Sequence, residues 1–143
     1  MFRRSYDLVE DERPVTELTG FRRESCEFTL DGHRLRVDRE RGKRFVLSGP
    51  TGRIASADRE TGRRWAITTG DGRLELVRPS VWRSAWELRH GETSVGRFEH
   101  RGVFNWSAHA EVSADLPQPV RVFAFYVVLM LWERAAAAAA AGA

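Results

Sequence analysis

The basic side chains in the stretch HRLRVDRERGKR, from His33 to Arg44, are the clearest candidates for a chemical function in this sequence. If the stretch is a β-strand followed by a turn, alternation places Arg34 and Arg36 on the outward face. Clustered basic side chains attract anionic lipid head groups, at about 1 kcal/mol per charge near a membrane surface. The candidate lipid- or anion-binding residues are therefore Arg34, Arg36, Arg39, Arg41, Lys43 and Arg44, together with Arg63 and Arg64 in another predicted turn.

The same basic stretch has a structural interpretation, which stays open. Asp38 and Glu40 lie within it and dilute its positive charge. Charged side chains on an outer strand also prevent edge-to-edge aggregation. The sequence thus leaves two alternatives, an anion-binding surface and a solvated outer face.

Other residue types with catalytic or metal-binding potential lack the necessary spacing. The four histidines are scattered, without the spacing of a metal site. No Ser or Thr lies in a nucleophile-elbow pattern, and the stretch TGDGR from Thr69 to Arg73 has no helix after it to bind a phosphate. Acidic pairs such as Asp11-Glu12 lie in charged, turn-rich segments, where solvation explains them. We therefore predict no catalytic residues, no metal site, no cofactor and no enzymatic activity.

The composition indicates the size of the fold and its compartment. A chain of 143 residues, 42% of them hydrophobic, is typical of one globular domain with a sizeable core. The net charge of +3 is too small to indicate a nucleic-acid partner. Cys26 is the only cysteine, and no apolar signal segment follows the N-terminal arginines. We predict a cytoplasmic protein, at most peripheral to the membrane.

Short alternating runs between Cys26 and Val112 predict half-buried β-strands. The residues that share a buried face in these runs are Leu35 and Val37, Phe45 and Leu47, Leu74 and Leu76, and Trp86 and Leu88. Turn sequences separate the runs about every ten residues. They are Asp31-Gly32, Arg41-Gly42, Gly49 to Gly52, Thr61-Gly62, Asp71-Gly72, His90-Gly91 and Arg101-Gly102. This pattern predicts an antiparallel meander that closes into a barrel or sandwich.

A weak internal repeat relates two of these hairpin segments at one constant offset. The matched residues are Phe45 with Trp86, Leu47 with Leu88, Ile54 with Val95, and Trp65 with Trp106. All are large and apolar, so they predict equivalent core positions and imply no chemistry.

The closing stretch VRVFAFYVVLMLWERAAAAAAAGA predicts an apolar helix. Its unbroken apolar run, Val122 to Trp132, gives about 16 Å of helix, against roughly 30 Å of bilayer hydrocarbon. A longer span would include Glu133 and Arg134, each of which costs about 2.5–3.5 kcal/mol on insertion. A soluble helix that is apolar on all sides must be surrounded. We therefore expect the helix to be buried within the sheet from Val122 to Ala141, with no transmembrane span.

This order of elements resembles bacterial members of the tubby C-terminal-like superfamily, which includes the LURP-one-related proteins and the phospholipid scramblases. The resemblance rests on the run of short strands, on AWELRHGETSVGRFEHRG with its small residue before Arg97-Phe98, and on the final helix FAFYVVLMLWERAAAAAAA. It covers the chain from about Cys26 to the end. It implies one domain over residues 1–143, an antiparallel β-barrel of about twelve strands (roughly 5–113) around a hydrophobic C-terminal α-helix (roughly 120–141).

The resemblance also implies candidate functions. Tubby domains bind phosphoinositide head groups through basic surface residues, although none of their basic motifs aligns here residue by residue. Calcium-activated scrambling is disfavoured, because this chain lacks a cysteine cluster and a run of acidic ligands ahead of Val120. The leading expectation is a non-enzymatic binding module for anionic phospholipid head groups. The alternatives are a structural or regulatory protein-interaction domain without a lipid role, and membrane attachment through the final helix.

Overall fold

The computed structural model describes residues 6–10, 13–18, 24–80, 83–101 and 107–142. The strands are β1 (Tyr6–Glu10), β2 (Arg13–Leu18), β3 (Cys26–Leu30), β4 (His33–Glu40), β5 (Arg44–Gly49), β6 (Gly52–Thr61), β7 (Arg64–Thr69), β8 (Gly72–Val77), β9 (Trp86–His90), β10 (Thr93–Arg101) and β11 (Ser107–Val112). One helix, α1 (Gln118–Ala141), follows them. The predicted mainly β fold with a C-terminal helix is confirmed.

The strands pair in the order of the chain. β1 and β2 form a two-stranded antiparallel sheet, and β3 to β11 form a nine-stranded sheet in which each strand lies beside its chain neighbours. Within the described residues this sheet ends at β3 and at β11. Closure into a barrel and a total of about twelve strands therefore stay predictions.

The contacts within the chain divide it into two compact units, Met1–Ser56 and Ala57–Ala143, with the boundary inside β6. The first unit contains the hairpins of β1 with β2 and of β3 with β4, and the start of the β4–β5–β6 meander. The second unit contains β7 to β11 and α1. The prediction of a single domain stays a prediction.

Two turns in the first unit contain residues with positive φ angles. The β3–β4 turn has Asp31 at φ 49° and Gly32 at φ 76°, the pair of positive φ angles that a two-residue type I′ hairpin requires. The predicted turn at Arg41-Gly42 is a three-residue 3-10 turn, Arg41–Lys43, in which Arg41 has φ 52°.

The predicted alternation along the strands is confirmed by burial. All eight residues predicted to share a buried face are buried: Leu35, Val37, Phe45, Leu47, Leu74, Leu76, Trp86 and Leu88. Two repeat pairs, Phe45 with Trp86 and Leu47 with Leu88, thus occupy equivalent core positions. Ile54 and Val95 are both only half-buried, and Trp106 lies outside the described residues.

In the second unit, three turns lie one residue away from their predicted positions. β6 ends at Thr61 and β7 begins at Arg64, which places the β6–β7 turn at Gly62 and Arg63. Thr69 pairs with Gly72, which places the β7–β8 turn at Gly70 and Asp71. His90 pairs with Thr93, so the β9–β10 turn begins at Gly91, whose φ of 64° suits the first turn position. The predicted turn at Arg101-Gly102 extends beyond the described residues.

Most of the first half of α1 is buried, while Arg121 and Phe125 are half-buried. Its buried residues are Val120, Val122, Phe123, Ala124, Tyr126, Val127, Val128, Leu129, Met130 and Trp132. Phe125 packs edge-on against Phe98 of β10, with the ring centroids 5.6 Å apart and the rings inclined at 71°. The predicted burial of the C-terminal helix is therefore confirmed as far as Trp132.

The alanine segment of α1, Ala135 to Ala141, is exposed, so the prediction that the helix is buried as far as Ala141 is wrong. The physical reason is that alanine has little apolar surface to bury, while its helix propensity continues the helix without core contacts. By length and composition α1 is apolar enough to cross a membrane, with a mean hydropathy of 1.6 over its most apolar window, but half of that window is buried in the protein.

Candidate anion-binding site

Strand β4 presents its basic side chains to solvent as predicted. Arg34 and Arg36 are exposed, while Leu35 and Val37 between and beside them are buried. The orientation of these two arginines, predicted from alternation alone, is confirmed.

The structure also shows carboxylates beside the arginines of β4. Arg34 forms an ion pair with Glu27, its near neighbour on β3. Arg36 Nε lies 2.8 Å from Asp38 Oδ1 on the same strand face. A third arginine of the strand, Arg39, contacts Glu24, with 3.0 Å between Nη1 and Oε1. Much of the positive charge on this face is therefore locally neutralised.

The pair formed by Arg34 and Glu27 also has an electrostatic signature. The hydrogen bond that the Arg34 guanidinium donates lowers the pKa of the Glu27 carboxyl below its ordinary value. The same hydrogen bond raises the pKa of Arg34. Both groups consequently remain charged at neutral pH, and each offsets the other's field.

The turn after β4 differs from the strand itself. Arg41 and Lys43 are exposed, and neither forms an ion pair with any residue that the structure describes. Glu40, just before the turn, contacts Arg53 of β6 at 3.5 Å. Arg44, the first residue of β5, is half-buried. Of the predicted basic residues of the first unit, Arg41 and Lys43 thus have the least compensated charge.

Arg63 and Arg64 belong to the second unit and have structural partners there. Arg63 donates hydrogen bonds from Nε to the carbonyl of Arg78 at 3.1 Å and from Nη2 to the carbonyl of Pro79 at 2.8 Å. Arg64 Nη1 lies 3.3 Å from Glu75 Oε2 on the paired strand β8. Arg64 therefore contacts β8 itself, and Arg63 contacts the chain directly after it.

The histidines do not come together into a metal site in the described part of the chain. His33 and His90 are exposed at strand ends, and His109 Nε2 lies 3.6 Å from Glu111 on β11. Among the described residues, no group of three or more His, Cys, Asp or Glu side chains has a geometry suited to a metal ion.

The second unit contains a cavity of about 510 Å³ beside the end of the buried half of α1. Tryptophan, arginine and histidine side chains dominate its lining. They are Trp65, Trp86 and Trp132, Arg59, Arg78 and Arg134, and His100. Sequence reasoning missed this cavity, because its residues lie on five separate segments between Arg59 and Ala136 and share no spacing. The one available signal was Arg134, two residues after the end of the apolar run of the helix.

No family model, no curated protein and no solved structure matches this chain. The resemblance to the tubby C-terminal-like superfamily therefore stays a prediction.

Proposed function

We propose that the protein is a non-enzymatic, cytoplasmic binding module that contacts anionic phospholipid head groups at a membrane surface through the turn Arg41–Lys43. The observation that carries this proposal is the absence of any ion pair between Arg41 or Lys43 and the described residues. An exposed cation without a carboxylate beside it contributes about 1 kcal/mol of attraction to an anionic leaflet. A paired arginine such as Arg36 contributes less, because its carboxylate partner is repelled by the same surface.

Co-sedimentation with vesicles tests the role of the turn. The double variant Arg41→Asn and Lys43→Gln removes two charges, and asparagine tolerates the positive φ of residue 41. We expect it to bind phosphatidylserine-containing vesicles roughly 30-fold more weakly than the parent, from about 1 kcal/mol per lost charge. Binding of the parent should also fall steeply as salt rises, since the interaction is screened.

The matched control removes the same charge from ion-paired positions. Arg73 contacts Glu60 and Glu75, and Arg97 contacts Glu99 at 2.6 Å. The variant Arg73→Ser and Arg97→Ser should keep most of the affinity for anionic vesicles. The proposal is wrong if both double variants lose affinity equally, or if the parent does not bind anionic vesicles even at low salt.

A structural or regulatory protein-interaction domain is the second candidate function. The ion pairs of Arg34, Arg36 and Arg39 favour it, because a charge-balanced face has little attraction for an anionic membrane but suits a polar protein interface. Failure of vesicle binding in the parent would leave this function in place.

Attachment through α1 is disfavoured by its burial. The exposed alanine segment gives only about 10 Å of helix, against roughly 30 Å of hydrocarbon. A span would therefore require Val120 to Trp132 to leave the protein core. Insertion of that kind would also be nearly indifferent to salt, unlike binding through the turn.

We further propose that the sheet closes around α1 as a tubby-like barrel. Ten of the thirteen residues of α1 from Val120 to Trp132 are buried, which supports closure because an open sheet covers one side of a helix only. Hydrogen exchange tests closure. In a closed barrel the outer amides of β3 and β11 are protected, whereas an exposed edge strand exchanges alternate amides rapidly.

A further inference from the structure

We propose that the cavity of the second unit binds a small amphiphilic anion, a molecule with a carboxylate or phosphate head group on an apolar body. The inference goes beyond the proposed function, because it concerns another unit of the chain and a dissolved ligand. It rests on the walls of the cavity, on the charges that line it, and on its size.

The walls are apolar and held in place by the core. Trp65, Trp86 and Trp132 are all buried and all line the cavity. The indole Nε1 of Trp132 donates a hydrogen bond to the carbonyl of Ser84 at 2.6 Å, which orients the ring. The His100 ring packs edge-on against the same indole, with 4.7 Å between centroids. The apolar surface is thus formed before any ligand arrives, which reduces the entropy cost of binding.

The charges that line the cavity have one sign. Arg59, Arg78 and Arg134 contribute guanidinium groups, and the described lining contains no aspartate or glutamate. The Arg134 guanidinium carbon lies 5.8 Å from the centroid of the Trp65 ring, so this cation is held over an aromatic wall. Arg59 is exposed and forms no ion pair with a described residue.

The lining of the cavity differs from the outer faces of β4 and β10, where arginines lie beside carboxylates. Arg34 contacts a carboxylate on the neighbouring strand, and Arg36 and Arg97 each contact a carboxylate on their own strand. Arg59, by contrast, lines the cavity and contacts no carboxylate among the described residues. Low-dielectric walls around several cations focus the positive potential and raise the local concentration of anions.

Size and polarity together select an amphiphile. A volume of about 510 Å³ lies within the roughly 300–1,000 Å³ that small-molecule sites occupy. An inorganic anion would leave the indole surfaces uncovered, and a neutral hydrocarbon would leave Arg59 without a counter-charge from the described residues. An anion with an apolar body satisfies both parts of the lining.

Calorimetric titration of the full chain with four probes tests this assignment. The probes are octanoate, octyl phosphate, octanol and inorganic phosphate. We expect octanoate or octyl phosphate to bind at least about tenfold more tightly than octanol and inorganic phosphate, because charged hydrogen bonds and apolar burial then act together. The comparison of the two octyl anions identifies the head group. Equal binding of octanol, or equal binding of inorganic phosphate, would overturn the proposal.

Two substitutions at exposed positions locate the site without disturbing the core. Arg59→Ser should weaken binding of the better octyl anion about tenfold, the effect of losing one charged hydrogen bond. Ala135→Phe should abolish it, because the ring enters the cavity that Ala135 lines. Circular dichroism checks that both variants fold.

Each substitution has a matched control that lies outside the cavity. Arg73→Ser removes an exposed arginine of the same unit, and Ala137→Phe adds a ring to the exposed alanine segment. Both should bind as the parent does. Parent-like binding by Arg59→Ser and Ala135→Phe would overturn the proposal. The Arg41→Asn, Lys43→Gln variant should keep full affinity for the octyl anion, which separates this inference from the membrane proposal.

Discussion

Leu129 lies at the centre of the buried half of α1, with 1% of its surface exposed. A carboxylate at this position would be buried with no counter-charge, and desolvation of an unpaired charge exceeds the net stability of a small domain. We expect Leu129→Asp to prevent cooperative folding, measured by thermal denaturation followed by circular dichroism. Ala137→Asp, on the exposed part of the same helix, is the control and should fold. Soluble, cooperative folding of Leu129→Asp would place the helix outside the core.

Glu87 on β9 gives the protein a predictable response to acid. A hydrogen bond from Arg89 is the largest cause that lowers the pKa of the Glu87 carboxyl from its ordinary value of 4.5. The Arg89 Nε to Glu87 Oε1 distance is 2.8 Å. Because the folded pKa lies below the unfolded one, the pair stabilises the fold fully above about pH 4.5. That contribution disappears as the pH falls through the lower, folded value.

The Glu87→Gln variant isolates this contribution. At pH 7 it should be less stable than the parent by up to about 1 kcal/mol, the usual range for a partly exposed pair. The difference should vanish at strongly acidic pH, where the parent carboxyl is also neutral. Urea unfolding at the two pH values measures it, with Glu92→Gln in the β9–β10 turn as the control. A difference that is the same at both pH values would contradict this assignment.

At the scale of the elements, the strands share one arrangement of charge. Arginine and a carboxylate two residues apart lie on the same outer face in four strands, because side chains alternate with a period of two. The pairs are Arg36–Asp38 in β4, Arg73–Glu75 in β8, Glu87–Arg89 in β9 and Arg97–Glu99 in β10. Each exposed pair stabilises the fold by about 1 kcal/mol at most. Their larger effect is to balance the charge of the sheet surface.

Strand β10 is held close to its neighbours at Gly96. A Cβ built there would lie 3.3 Å from Leu88 Cβ on β9 and 3.4 Å from the carbonyl oxygen of Glu111 on β11. A Cβ atom and a backbone carbonyl oxygen have little freedom to move away. We expect Gly96→Ala to destabilise the protein by roughly 1–3 kcal/mol, as overpacking does.

Chemical denaturation of matched glycine variants measures this effect. Gly70 in the β7–β8 turn has open space around the position of a Cβ. Gly70→Ala should therefore be neutral, or stabilising by about 0.4–1 kcal/mol through the unfolded chain. If the two alanine variants unfold at the same denaturant concentration, the close approach of the strands at Gly96 does not affect the free energy of unfolding.

For the whole molecule, α1 divides into a core half and an exposed half with different roles. A chain that ends at Ala136 keeps every buried residue of α1 and should lose no more than about 1 kcal/mol. A chain that ends at Leu116 lacks the helix and should not fold, since the second unit loses its largest apolar element. Thermal denaturation of the two truncated chains checks both outcomes. Cooperative unfolding of the shorter chain would show that the sheet is stable without α1.

The sequence by itself determined the strands, their buried faces and the helix. Alternation identified Leu35 and Val37 as core and Arg34 and Arg36 as surface, because the side-chain period of a strand depends on local geometry alone. The apolar run of α1 likewise required burial wherever the helix was placed. The arginine and carboxylate pairs two residues apart in a strand are also visible in the sequence, because alternation alone places both members on one face.

Only the tertiary structure decided which arginines keep uncompensated charge and which residues form a cavity. Glu27 reaches Arg34 through strand pairing, and Glu24 reaches Arg39 across 15 positions of the chain. Trp65 and Trp132 meet Arg134 at one cavity because α1 packs against distant strands. Such contacts depend on how elements fold back on one another, and no local period in the sequence encodes them. The exposure of Ala135 to Ala141 has the same origin, since helix propensity does not say where the core ends.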